Sequence, residues 1–371
     1  MKICLLGNAA SIHLVRWANG LSSLGHEVYL LSADRPGTHQ IDKKVNLVVL
    51  PFRPPLGYYL NSLSACRILN DIKPDILNTH YASGYGTLSR LIDFHPTLLS
   101  VWGDDVFEVP YRNQHMRRLI QKNLQAADRI ASTSKVMKTQ VEKLSIPTKE
   151  IFVTPFGVDL SIFCPKKKEG SGQIVIGIIK TIGDKYGQIF LVKAFRLLLD
   201  KLESEGKDEI TRILRLYIIG GGPKIKLIRQ IVREFELDSY TWMPGEIPHS
   251  AVSDYLNQFD IACFPSTVMG ESFGVSAIEA SACGVPVIAS NIGGLPEVVV
   301  NNLTGFLIEP KNAGILAEKL YHLVLDPNLR EKMGKTGREY VTEYYDWNEN
   351  LRRMENYMIQ VIADYQNTKH E

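Results

Sequence analysis

Two glutamates, Glu271 and Glu279, have seven mostly small or apolar residues between them in the run MGESFGVSAIEASACGVPVIAS, Met269 to Ser290. A chain that places carboxylates around a segment that otherwise reads as buried has a use for them. The preceding IACFPS (261–266) reads as a strand, TVMGE as the loop leaving it, and Ser272-Phe273-Gly274 as the start of a helix that Gly284 ends. A helix start offers free backbone N–H groups and the positive end of the macrodipole. A phosphate fits there, and Gly274 would let it approach closely. A carboxylate would repel that phosphate, so both glutamates must aim at hydroxyls, which carboxylates accept in bidentate fashion. Two carboxylates bracketing a phosphate cradle point to a ligand with a sugar on each side of a phosphate group, and a nucleotide sugar is such a ligand. The spacing alone is weak, since surface carboxylates at this distance occur by chance in many helical proteins. The context SAIEASAC is what argues for a partly buried Glu279.

The elements that must hold these residues alternate along the whole chain. Short β-prone runs at 2–7, 27–32, 46–52, 75–80, 98–103, 129–134 and 151–157 are separated by helical stretches, the first being SIHLVRWANGLSSLG, which stops at Gly25. The polar, glycine-containing SIFCPKKKEGSGQ is the best linker. Beyond it the alternation restarts with strands at 174–180, 214–220, 239–245, 261–266, 285–290 and 304–310. Helical stretches follow at 311–325 and about 328–345, and a final amphipathic helix runs from about Asn348 to Tyr365. This pattern predicts α/β architecture: two doubly wound, Rossmann-like domains with parallel sheets, 1–165 and 166–345, plus a C-terminal helical segment 346–371. Ligands of open α/β sheets bind outside the carboxyl ends of the strands, so a cleft between two such domains is the expected site.

Composition narrows the class. The chain has 371 residues, 45% hydrophobic and 22% charged, which suits two globular domains. No apolar run reaches the ~20 residues of a membrane helix. MKICLLGNAAS reads as a first strand rather than a secretory signal, so a cytoplasmic location is expected. Five scattered cysteines (Cys4, Cys66, Cys164, Cys263, Cys283) read as buried free thiols. The net charge of +2 implies no nucleic-acid partner. Residues 1–150 nevertheless hold 18 Lys and Arg against 12 Asp and Glu, concentrated in YRNQHMRRLIQKN, Tyr111 to Asn123. That run reads first as a solvated helix face. Its second reading is a surface for an anionic membrane, which would place the protein peripherally on the inner face.

The run PSTVMGESFGVSAIEASACGVPVIASNIGGLPEVVVNNLTGFLIEP resembles the signature of retaining glycosyltransferase family four, and the other landmarks fall in its order: PDILNTHYASGYG, SVWGDD, TPFGVDLSIF, IIKTIGDKYG, YIIGGGP and MPGEIPHSAVSDYL. The resemblance covers nearly the whole chain. It implies the GT-B fold, two Rossmann-like domains facing across a cleft, with the C-terminal helix crossing back to the N-terminal domain. It also implies transfer of a hexose or N-acetylhexosamine from a UDP- or GDP-linked donor to a sugar or lipid-linked acceptor hydroxyl, with retention, in cell-surface polysaccharide or glycolipid assembly. No cofactor or metal is expected. Carried over by position, Glu279 would bind the ribose and Glu271 the donor sugar near the reaction centre. The backbone of Phe273, Gly274 and Val275 would hold sugar and diphosphate, and Glu246 and Ile247 would border the base. Asn8 would lie opposite the phosphates. Lys180 and Lys185 would neutralise the leaving group, which suits their place after a strand's carboxyl end.

Departures from the pattern matter. Lys180 stands where arginine is usual, Tyr186 is an insertion between Lys185 and Gly187, and NAAS replaces a Gly-Gly pair in the first loop. Trp102, with Asp104 and Asp105 after it, stands where a cleft histidine that contacts the donor sugar is common, so the resemblance implies that Trp102 and Asp104 border the nucleotide sugar, and His80 and His13 are the candidates for that histidine's role. The alternative enzyme is a GT-B epimerase acting on a related ligand. A phosphorylase would need a pyridoxal lysine that no segment marks, and a nicotinamide dehydrogenase would need G-x-G-x-x-G where the chain has GNAAS. A binding module without catalysis would have little use for Glu271, Glu279 and Lys185 together.

Overall fold

A computed structural model of the chain describes residues 1–144, 150–167 and 172–368. It divides into two compact units, residues 1–156 with 348–371, and residues 157–347. The first unit ends before the expected 165 because the following segment bonds into the second. Ser253 Oγ donates to the Ile162 carbonyl (2.7 Å), Arg338 Nη1 to that of Phe163 (2.7 Å) and Asn257 Nδ2 to that of Cys164 (3.1 Å). Part of the expected linker, residues 168–171, lies outside the described residues.

Unit one is a seven-stranded sheet. Its strands are β1 (Lys2–Leu6), β2 (Glu27–Ser32), β3 (Asn46–Val49), β4 (Ile76–His80), β5 (Thr97–Val101), β6 (Arg129–Ser132) and β7 (Ile151–Val153). Their order is β3-β2-β1-β4-β5-β6-β7, and every pairing is parallel. β4 and β5 are buried at every position, as strands covered on both faces must be. The C-terminal helix, Trp347–Thr368, packs on this unit from residue 348 onward. Tyr357 stacks on Phe152, Arg129 pairs with Asp364 at 2.8 Å, and His26 Nε2 lies 2.6 Å from Glu355 Oε1. Leu351, Met354, Met358 and Val361 are buried along the same helix, each worth about 1.5–3 kcal/mol of apolar burial.

Unit two is a six-stranded sheet of β8 (Ile174–Ile179), β9 (Leu214–Ile219), β10 (Thr241–Gly245), β11 (Ile261–Phe264), β12 (Val287–Ser290) and β13 (Gly305–Ile308). Their order is β10-β9-β8-β11-β12-β13, again all parallel. Both sheets are therefore doubly wound. The strand order reverses between β1 and β4 in unit one, and between β8 and β11 in unit two. Loops leaving these strand pairs diverge and open a crevice, so each unit carries one topological switch point. All five cysteines are free thiols, but Cys66 and Cys164 are only partly buried, against the expectation that all would be. Among the described residues no helix is long and apolar enough to cross a membrane.

Candidate functional site

At the switch point of unit two, the loop after β8 brings Lys180, Lys185 and Tyr186, and the loop after β11 brings Ser266 to Gly274. The two loops are locked together. Thr267 N donates to the Lys185 carbonyl (2.8 Å), and its hydroxyl donates to the Asp184 carbonyl (2.8 Å). Gly187 completes the lock: its φ is 68°, and a Cβ there would stand 2.0 Å from the Pro265 carbonyl oxygen. The lock holds the backbone that carries Lys185.

Glu271 is 7% exposed. Lys180 Nζ lies 3.3 Å from its Oε1, and Ser266 Oγ lies 3.4 Å from its Oε2. Lys180 Nζ also sits 4.9 Å from the centre of the Tyr186 ring, with Lys185 Nζ 5.8 Å from the same ring. Tyr186, an insertion by sequence, gathers two ammonium groups around one aromatic ring. Cation–π attraction favours each ammonium group there. A largely buried ion pair such as Lys180–Glu271 adds little net stability. The pair holds Lys180, with its side chain 18% exposed, beside Glu271.

The helix Val275–Ala282 starts three residues later than the sequence predicts, because Gly274 has φ 97° and cannot continue a right-handed turn. Glu279 therefore lies about one turn from the amino end, not two. The glycine itself has a packing reason. A Cβ at 274 would stand 2.9 Å from Leu295 and 3.1 Å from Val298, so close approach of a phosphate is not needed to explain it. Two glycines after β12 have a similar cause. The turn after β12 crosses tightly, with Gly293 against the Glu271 carbonyl and Gly294 against that of Ser272. Gly294 N donates to the Glu271 carbonyl at 2.8 Å. Gly284 holds φ 76° just past the helix, as its sequence position predicts.

Glu279 is 6% exposed, and His249 Nε2 lies 3.5 Å from its Oε1. His249 is absent from the residues expected by sequence, although a signal exists: it stands two positions beyond Ile247 in GEIPHS. Glu246 is exposed, and its carboxylate lies over Gly221 in the turn after β9. Among the described residues no three His, Cys, Asp or Glu side chains converge to hold a metal ion.

At the switch point of unit one, Asn8 follows β1 and is exposed, but its Oδ1 already accepts from Ala10 N (2.8 Å) in a local turn. His80 ends β4 and is 1% exposed, and neither ring nitrogen has a hydrogen-bond partner among the described residues. Burial drives its pKa down to about 3. At neutral pH it is therefore an uncharged imidazole, and the catalytic role expected for it narrows to that of a neutral hydrogen-bonding group. Trp102 lies between the two candidate histidines, 4.9 Å from the His80 ring centre and 6.0 Å from that of His13, which stacks on Phe156 at 4.2 Å.

Asp104 is half-buried, while Asp105 is fully buried and structural. Asp105 accepts from Ala82 N (2.7 Å), Gly103 N (2.8 Å) and Trp102 N (3.2 Å), tying the loop after β4 to the loop after β5. Burial raises its pKa to about 6, against the opposing pull of those backbone donors. Asp105→Ala is expected to destabilise the protein by about 2–3 kcal/mol, since buried N–H groups lose their acceptor. Urea unfolding followed by tryptophan fluorescence checks this; an unchanged midpoint would remove the structural role.

Comparison with known proteins agrees with the two parallel-sheet units. The model described as glycosyl transferases group 1 matches residues 163–340, and that described as glycosyl transferase 4-like matches residues 2–134. N-acetyl-alpha-D-glucosaminyl L-malate synthase of Bacillus anthracis is 24% identical over 94% of this chain and 93% of its own. Among solved structures, sucrose-phosphate synthase from Thermosynechococcus elongatus superposes with a TM-score of 0.82 at 19% identity, covering 98% of this chain and 100% of that one. Anabaena Alr3699/HepE, solved in complex with UDP, gives 0.80 at 15% identity, covering 97% and 100%.

Proposed function

For a chain that belongs to glycosyltransferase family four and has the GT-B fold, we propose that unit two holds a nucleoside-diphosphate sugar and that the sugar passes to an acceptor hydroxyl with retention of configuration. The observation that carries this is the pair Lys180 and Lys185 around Tyr186, beside the dehydrated Glu271. It supplies positive charge for a diphosphate and a carboxylate for sugar hydroxyls within one crevice. In the reaction the bond from the anomeric carbon to the diphosphate oxygen breaks. The acceptor oxygen bonds to that carbon on the same face, and its proton leaves with the diphosphate. Lys180, Lys185 and the amino end of the helix Val275–Ala282 stabilise the charge that develops on the leaving group. Glu271 orients the sugar through its hydroxyls, and Glu279 takes the ribose hydroxyls. The loops of unit one take the acceptor, with His80 as a neutral hydrogen-bonding group. Unit one mutants would accordingly change acceptor use more than donor binding.

UDP is the first nucleotide to test, since the similar HepE was solved with it; GDP is the second. The proposed biological setting is polysaccharide or glycolipid assembly. Activity is expected to persist in EDTA, because lysines and backbone N–H groups supply the charge that a metal would otherwise supply. Glu279→Ala is expected to weaken UDP or GDP binding about 10- to 100-fold, the cost of hydrogen bonds to a charged acceptor. Titration calorimetry with the nucleoside diphosphate measures this. An unchanged Kd would take Glu279 away from the ribose. Anomeric configuration is read from the product by NMR, and an inverted product would end the retention proposal.

A further inference from the structure

A knob of unit one has no role in this chemistry. Val49, Phe52, Leu56, Tyr59, Leu60 and Leu63 are all exposed, six large apolar side chains within fifteen residues. Leu56 is 68% and Leu63 74% exposed. Ordinary surfaces scatter such residues singly, and a cluster marks an interaction surface.

The knob is held in shape. Asn61 is fully buried, donates to the Phe52 carbonyl (2.7 Å) and accepts from Phe52 N (3.0 Å). Phe52 is thereby pinned beside the short helix Gly57–Leu60 and the helix Ser62–Ile72. Leu63 and Arg67 share a face of the helix Ser62–Ile72, with Ala65 and Leu69 buried on the other, and Leu56 and Leu60 are exposed at the two ends of the short helix before it. Tyr58 anchors the inner side: its ring packs edge-on against Tyr85 at 5.2 Å and leaves no room for a Cβ at Gly84. The protein spends buried hydrogen bonds on keeping these apolar side chains in water.

Charge says what covers them. From Asp42 to Asp71, both exposed, there are four basic residues, Lys43, Lys44, Arg53 and Arg67, against those two aspartates, a net of +2. Arg53 and Arg67 are exposed within the apolar cluster itself. Leu and Phe side chains interleaved with Arg, and Tyr59 among them, match the boundary between headgroups and acyl chains of an anionic bilayer. We infer that this knob, rather than the basic run 111–123, seats the enzyme on an anionic lipid surface, the leucines and Phe52 entering the interface and the arginines meeting lipid phosphates. The inference rests on the proposed function only in supplying a lipid-linked acceptor.

The test uses the full-length protein and vesicle sedimentation. Vesicles of phosphatidylcholine with phosphatidylglycerol should bind it at least about 10-fold better than phosphatidylcholine alone, with binding weakened by added salt. The triple variant Leu56→Ser, Leu60→Ser, Leu63→Ser should lose at least about 10-fold in vesicle binding, as should Arg53→Glu with Arg67→Glu. Both variants should keep the wild-type Kd for UDP or GDP, a property of unit two. That control separates failure here from failure of the donor-site reading, and an unchanged far-UV circular dichroism spectrum and melting temperature show that unit one of each variant folds. Vesicle binding that is absent in the wild type, or unchanged in the triple variant, overturns the inference. So does a wild-type dimer in sedimentation velocity that the triple variant abolishes, since a second copy would then cover the face.

Discussion

Glu271→Ala is expected to lower kcat at least about 10³-fold while leaving the Kd for the nucleoside diphosphate within about threefold, because the lost contacts strengthen in the transition state and not with the nucleotide alone. The size follows from burial. Glu271 is nearly inaccessible, its partners are Lys180 and Ser266, and a carboxylate in such a place interacts with sugar hydroxyls far more strongly than one in water. Its backbone carbonyl, which Gly294 N holds, is untouched by the substitution, so the loop should keep its course. Glu271→Gln separates charge from shape: it keeps an acceptor oxygen but should still lose more than about 10² in kcat. Steady-state kinetics beside calorimetric nucleotide binding checks both. Unchanged turnover in Glu271→Ala would remove Glu271 from the mechanism.

Lys185→Ala is expected to cost about 10²- to 10³-fold in kcat/KM, the usual loss when one preorganised group facing developing charge is removed. Part of that loss should appear in binding: the variant should hold UDP more weakly than the wild type yet bind uridine equally well, since only the diphosphate meets the ammonium group. Lys180→Ala should behave alike but carry an added penalty, because Glu271 then loses the cation that keeps it paired. Lys180→Arg keeps the charge and adds a bidentate fork, so it should retain activity within about tenfold. Equal losses for UDP and uridine in Lys185→Ala would place that lysine away from the diphosphate.

The double alternation is legible because each parallel strand, buried on both faces, is a short apolar run, and each crossover is helical. The switch points follow from that. What sequence does not reach is tertiary. Lys180 and Glu271 meet across 91 positions, and no local pattern announces it. His249 meets Glu279 across an intervening strand. Gly274 looks like a phosphate-binding glycine, but the residues that demand it, Leu295 and Val298, lie two elements away. Asp104 and Asp105 are adjacent and chemically identical, and only the course of the loops after β4 and β5 makes the second the clamp. The break between the helices Gly57–Leu60 and Ser62–Ile72 is tertiary too: Asn61, between them, is held by the Phe52 backbone.

The central claim is that the switch point of unit two is a nucleoside-diphosphate site built from a helix start, two lysines and two carboxylates. A crystal structure of the protein with UDP or GDP, grown in EDTA, tests it most directly. The expected map shows the diphosphate against the backbone N–H groups of residues 273–275 and the Lys185 ammonium, with the ribose hydroxyls on Glu279. Nucleotide bound elsewhere, or a diphosphate that becomes ordered only when a divalent ion is restored, would contradict it.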